Sequence, residues 1–183
     1  RCLMKVPPRI QPLVEDGLVD EVISRLMSGK EADVYVVRSA GEIRCAKVYK
    51  DVTTRSFKQA VQYQEGRKVR NTRRGRAMER GSKFGKQQKE QTWHTAEVDA
   101  LALLANTEVR VPEAHGLFDG VLLMELITGA DGRVAPRLAD ISMASEEAIK
   151  DHVTVIDFIK KMLCIGMVHG DLSEFNVLVD ANG

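Results

Sequence analysis

The chain has 183 residues, 44% hydrophobic and 29% charged, with a formal net charge of +1. That balance fits one soluble domain or two small lobes and argues against a disordered tail, a collagen-like rod or a disulfide scaffold. No apolar run approaches the ~18 residues of a membrane helix, which speaks against a membrane partner. The three cysteines (Cys2, Cys45, Cys164) are widely spaced and form no CxxC pair, which suits a reducing cytoplasm and gives no metal signature. His94, His115, His152 and His169 are equally scattered. The chain starts with Arg1 and shows no leader pattern, so it reads as a piece of a longer protein.

Residues 1–26 read as an N-terminal extension, with Pro7, Pro8 and Pro12 marking irregular chain and Leu13 to Leu26 forming short helices interrupted near Gly17. Asp33 to Val37 and Glu42 to Tyr49 are β-rich runs joined by a polar turn containing Gly41, a hairpin pattern. Gly66 to Glu90 follows with ten basic residues against two acidic ones, a net +8 that leaves −7 for the rest of the chain. A block of this kind is either a solvated flexible loop or a surface for RNA or phosphoryl groups. Trp93 to Ala105 has helical spacing, while Val109 to Pro112 and Gly120 to Ile127 read as strands. Ser145 supplies a capping hydroxyl before a long helix with Ile149, Val153, Ile156 and Ile159 on one stripe, and Gly166 ends it. Strands come first and helices later, so the class is α+β in two lobes.

The most informative stretch is His169-Gly-Asp-Leu-Ser-Glu-Phe-Asn176, set between two short apolar runs that read as β segments. An aspartate followed five residues later by an asparagine is the arrangement of a phosphotransferase catalytic loop. The carboxylate of Asp171 orients the attacking hydroxyl and can take its proton, and the amide oxygen of Asn176 is a hard ligand for magnesium. Ser28-Gly-Lys-Glu-Ala-Asp-Val-Tyr35 stands at the turn into the first hairpin strand. A Walker A loop is excluded by Ser24 and Glu31 at its required glycine and hydroxyl positions. The protein-kinase loop fares better, since Gly29 and Val34 keep its middle glycine and its valine. Lys47, between Ala46 and Val48, is oddly placed for a solvated charge. It matches the lysine that holds α- and β-phosphates, and Glu97 is the candidate brace. Leu122 to Ile127 leads into a glycine-containing stretch where a hinge would offer backbone groups to adenine, although core strand is the plainer reading.

Taken in order, these stretches resemble the RIO kinases, an atypical serine/threonine protein kinase family. Ala135-Pro-Arg-Leu138 and the Trp93 to Glu97 spacing match the same family, in its RIO-one-like branch of bacterial type. The resemblance implies a two-lobed kinase-like fold with an incomplete C-terminal lobe. Its parts would be an N-lobe over 27–123 with a flexible basic loop at 66–90, a hinge at 124–130, and a partial C-lobe over 131–183. It implies ATP with Mg2+ or Mn2+, transfer to protein serine, and autophosphorylation, for which Ser82 is the candidate. Asp171, Lys47 and Glu97 would be the catalytic set. Gly29, Lys30, Ala32, Val34, Lys47, Met124, Glu125, Ile127 and Leu178 would contact the nucleotide. Asn176 would bind the metal, with the second ligand beyond Gly183 and not Asp180, which reads as a turn residue. Gly170 replaces the arginine that in ordinary kinases reads a phosphorylated activation loop. The resemblance also admits a ribosomal small-subunit or RNA contact through Gly66 to Glu90. The alternatives are a small-molecule kinase of aminoglycoside or choline type and an ATP-switched ribosome- or RNA-binding factor. A chain ending at Gly183 is expected to bind ATP weakly and transfer phosphate poorly.

Overall fold

The computed structural model describes residues 4–50 and 96–182. The basic segment 66–90, Ser82 and Trp93 therefore lie outside the described residues. Two compact units make up the chain, one from residues 1–99 with 114–124, the other from 100–113 with 125–183. The expected boundaries at 26 and 123 follow the linear sequence; the observed division instead assigns 100–113 to the second unit.

A five-stranded sheet has the order β1-β2-β3-β5-β4, with β1 Glu21–Ser28, β2 Ala32–Ser39, β3 Glu42–Tyr49, β4 Ala114–Phe118 and β5 Val121–Glu125. The β2–β3 hairpin closes at Ser39 with Glu42 around Ala40 and Gly41, both in the left-handed region (φ 52° and 78°). That pair of angles is the turn whose twist matches two antiparallel strands, and it needs glycine at the second position. Side-chain alternation then divides the sheet. Tyr35 and Val37 of β2, Ala46 and Val48 of β3, and Val121 and Leu123 of β5 join one buried cluster. Ile10, Leu13 and Val19 cover that cluster, delivered by the short helix α1 (Gln11–Glu15), its N-cap residue Ile10 and the chain after it. The alternate residues of β3, Cys45, Lys47 and Tyr49, belong to the opposite face.

Several expected elements differ. Helix stops at Glu15, and the rest of the stretch expected to be helical enters β1. Residues of β1 are mostly exposed and only Val22 is buried, so its sequence carries no clean two-residue alternation. Val109 to Pro112 is not a strand; Val109 packs in the second unit against Leu104 and Met162, and β4 begins at Ala114. Pro112, lacking an N–H, cannot support a ladder there.

Residues 96–105 are helical (α2), with 96–99 counted in the first unit and 100–105 in the second, and Ser145–Cys164 of the second unit form α3. The cap of α3 is Ala144 and not Ser145: its own N–H donates to Glu147 Oε2 at 3.1 Å, while among the described residues no side chain takes the first-turn N–H groups that a capping serine would have accepted from. Gly166 (φ 73°) does terminate the helix, with Met167 N–H on the Met162 carbonyl and Gly166 N–H on that of Leu163. The expected stripe divides: Ile149, Val153 and Ile156 are exposed, whereas Phe158, Ile159 and Met162 pack on Leu104 and Val109.

Candidate functional site

The first group of functional side chains is built on the β1–β3 portion of the sheet. Val34 and Lys47 are direct cross-strand partners, so the loop residue and the lysine that the sequence singled out share one rung. Lys47 Nζ lies 2.6 Å from Glu97 Oε1, with the two side chains 25% and 26% exposed. An ion pair that far out of water makes stronger hydrogen bonds than a surface pair, and it fixes the ammonium in one place. The other carboxylate oxygen of Glu97 accepts the Tyr49 hydroxyl at 2.5 Å. The Tyr49 ring also lies 5.2 Å from the Lys47 ammonium. Tyr49, only 1% exposed, therefore supports both partners of the pair at once.

Gly29, Lys30 and Glu31 form the turn between β1 and β2. Gly29 N–H donates to the Ala32 carbonyl at 2.9 Å, and a Cβ on Gly29 would lie 3.3 Å from that same oxygen. Glycine is there for close backbone approach. Ala32 is buried and opens β2, so it shapes the turn from within the sheet. Lys30 is exposed. Burial raises the Asp33 carboxyl, but hydrogen bonds from Ser28, Arg25 and Lys50 outweigh that and hold it below the usual carboxylate range. Cys45, on the Lys47 face, is pushed up to about 12 by burial, with Lys47 acting weakly in the other direction.

The second group belongs to the loop after α3. Asn176 Nδ2 donates to the Asp171 carbonyl at 2.6 Å and lies 3.4 Å from Asp171 Oδ2. Asp171 N–H in turn donates to His169 Nδ1 at 3.3 Å. Gly170 has φ 77°, a conformation that strains any side chain, so an arginine there is disfavoured by the backbone as well as by the sequence. Asp171 and Asn176 are both exposed. The flanking apolar runs are not strands as expected: Leu178 makes one bridge with Arg137. Leu138 N–H bonds to Val177 O, Val179 N–H to Pro136 O and Ala139 N–H to Glu174 O, so Ala135 to Leu138 backs the loop. Asp180 accepts Asn182 N–H at 2.8 Å, the signature of a turn residue.

Met124 ends the first unit's share of β5 and Glu125 opens the second unit's share. Glu125 is less available than expected for an adenine contact. Its N–H donates to the Glu113 carbonyl, and its carboxylate is gripped by both terminal nitrogens of Arg110 at 2.9 and 2.6 Å. The hydrogen bond to Glu125 raises the Arg110 pKa. The Ile127 carbonyl accepts Ala135 N–H.

Tyr49 and Lys50 are the residues that the sequence reading passed over. Tyr49 carries the same strand parity as Lys47, two positions on, and that parity was the available signal. Among the described residues, no cluster of three or more histidine, cysteine or acidic side chains is arranged to hold a metal. No helix among them is long and apolar enough to cross a membrane.

A family model described as the RIO domain matches residues 33–183. The human serine/threonine-protein kinase RIO1 is 32% identical over 169 residues, covering 91% of this chain and 28% of the human protein. The RIO-type serine/threonine-protein kinase Rio1 of Haloferax volcanii is 28% identical over 173 residues, covering 93% and 54%. The chain thus spans from about a quarter to about half the length of these relatives. A crystal structure of the Rio2 kinase-ADP/Mg2+-phosphoaspartate complex from Chaetomium thermophilum superposes with a TM-score of 0.63 at 19% identity, covering 96% of this chain and 50% of that one. That likeness is one of fold, and the fold is α+β and kinase-like.

Proposed function

Because the chain belongs to the RIO domain family, we propose that it serves an ATP-dependent protein kinase of RIO type, which transfers the γ-phosphate of ATP to protein serine, itself included. The observation that carries this reading is the half-buried Lys47–Glu97 pair, formed across 50 residues of sequence and propped by Tyr49. An isolated surface lysine needs no such support; a lysine that must meet phosphate oxygens at a fixed point does.

In this reading Lys47 takes the α- and β-phosphates and Glu97 fixes its position. Gly29, Lys30 and Val34 cover the phosphates, with Met124 and Ile127 toward the base. The Asp171 carboxylate orients the acceptor hydroxyl. The hydroxyl oxygen forms a bond to the γ-phosphorus, the bond to the β–γ bridging oxygen breaks, ADP leaves with that electron pair, and Asp171 takes the hydroxyl proton. The Asn176 amide fits a hard cation, because its nitrogen is the atom engaged with the Asp171 carbonyl, which leaves its oxygen as donor. Magnesium, with manganese as the other candidate, supplies charge neutralisation on the phosphate oxygens when bound.

The test is transfer from γ-labelled ATP and magnesium, with the product separated and the modified residue mapped. Label on protein serine in wild type, lost in Asp171→Asn, is the expected result. Label appearing on a small alcohol or amino sugar instead, with protein unlabelled, contradicts the proposal.

A further inference from the structure

The hairpin that carries Lys47 ends on a second lysine whose contacts the transfer reaction leaves unexplained. Lys50 follows the last β2–β3 register pair, Ala32 with Tyr49. Its backbone N–H donates to the Glu31 carbonyl at 2.8 Å, which extends the ladder one rung into the β1–β2 turn. Its ammonium lies 2.7 Å from the Gly29 carbonyl, 3.3 Å from Ser28 Oγ and 3.1 Å from Asp33 Oδ1. An ammonium has three protons, and these three acceptors account for all of them. The acceptors come from both sides of the turn: Ser28 ends β1, Gly29 opens the turn, and Asp33 stands in β2. Arg25 meets the same Asp33 oxygen at 2.7 Å, so the acid is matched by two cations.

We propose that Lys50 is a positioning residue, whose ammonium and backbone N–H close the Gly29–Glu31 turn into one shape before a nucleoside triphosphate arrives. The inference rests on the kinase reading above and extends it. A turn that is already ordered costs less to order on binding, and this lowers the ATP concentration needed for half-saturation. Asp33 gains a reason as well. A carboxylate beside a phosphate loop would repel the ligand; paired with Lys50 and Arg25 it instead anchors the cation that holds Gly29.

The experiment compares wild type with Lys50→Met and Lys50→Arg in the protein as its natural gene encodes it. Two readouts are taken: amide exchange at Gly29 and Lys50 without nucleotide, and ATP binding with KM and kcat measured separately. Lys50→Met is expected to speed exchange in the turn, to weaken ATP binding about tenfold, and to raise KM while leaving kcat within about twofold. Lys50→Arg, which keeps the charge and the donors, recovers most of both effects. Thermal unfolding at the wild-type temperature establishes that Lys50→Met is folded. Faster exchange with unchanged ATP affinity overturns the proposal, and so does unchanged exchange. A wild type that binds no ATP overturns the kinase reading and this inference together, whereas failure confined to Lys50→Met leaves the kinase reading standing.

Discussion

The two groups of functional residues are built in opposite ways. Around Lys47 the contacts are long-range and shielded: Glu97 lies 50 positions from Lys47 and 48 from Tyr49, and Tyr49 is buried. Around Asp171 the side-chain contacts are short-range and exposed, made within eight consecutive residues from His169 to Asn176, with backbone from Pro136 to Ala139 behind them. The first arrangement exists only when the sheet and α2 have folded, so it holds a charge in one place against the entropy of a long side chain. The second is a local loop shape that glycine and an asparagine side chain impose on the backbone. In the proposed function the former suits holding phosphate at a fixed point, and the latter suits presenting a carboxylate to an incoming hydroxyl.

That contrast breaks most visibly at Asp171. Asp171→Asn should lower phosphoryl transfer by about a thousandfold, because the amide cannot accept the proton, with folding unchanged at so exposed a site. Initial rates and a thermal melt check both halves of the statement. Next come Lys47→Met and Glu97→Gln. Each should reduce kcat/KM for ATP by about ten- to a hundredfold, through loss of charge-assisted hydrogen bonds to phosphate or of the brace that aims them. Tyr49→Phe sharpens the comparison, since it keeps the ring under Lys47 and removes only the hydroxyl on Glu97. It should raise KM for ATP about threefold and cost about 1.5 kcal/mol of stability by denaturant unfolding. The smallest effect concerns cysteine. With its thiol pushed up to about 12 by burial, Cys45 should resist maleimide in the folded protein at neutral pH, while exposed Cys164 reacts, as read by peptide mass mapping. Cys45 modification at the Cys164 rate would mean that the β3 face is open.

The pH dependence follows the same division. The Asp33 carboxyl sits below its unfolded value, so its contribution is present above ~4 and fades as pH falls through the folded value. Protection of the Gly29 amide, taken as its exchange rate relative to an unstructured amide at the same pH, should therefore be full at neutral pH and fall in acid before the sheet unfolds.

Legibility in the sequence tracked how local each feature is. The Asp171–Asn176 loop could be read because its chemistry is contained in eight residues. The hairpin could be read from alternation and Gly41, and its pairing of Val34 with Lys47 then follows from the turn. β1 was missed because one buried residue in eight leaves no alternation, and β4 because Gly116 and Ala114 are poor strand formers beside the more persuasive Val109 and Val111. Tyr49 and Lys50 were passed over, since the hydrogen bonds of neither side chain are visible until distant chain is brought alongside. Glu125 shows the converse: hinge position alone said nothing of Arg110, whose grip on the carboxylate spans 15 residues.

The most direct measurement is ATP binding, by titration at equilibrium, in Lys47→Met and Asp171→Asn side by side with the transfer rate. Lys47→Met should lose affinity by about tenfold or more, while Asp171→Asn should bind ATP within about twofold of wild type and transfer phosphate about a thousandfold more slowly. Equal loss of affinity in both variants, or wild-type affinity in Lys47→Met, would contradict the division of labour between the half-buried pair and the exposed loop.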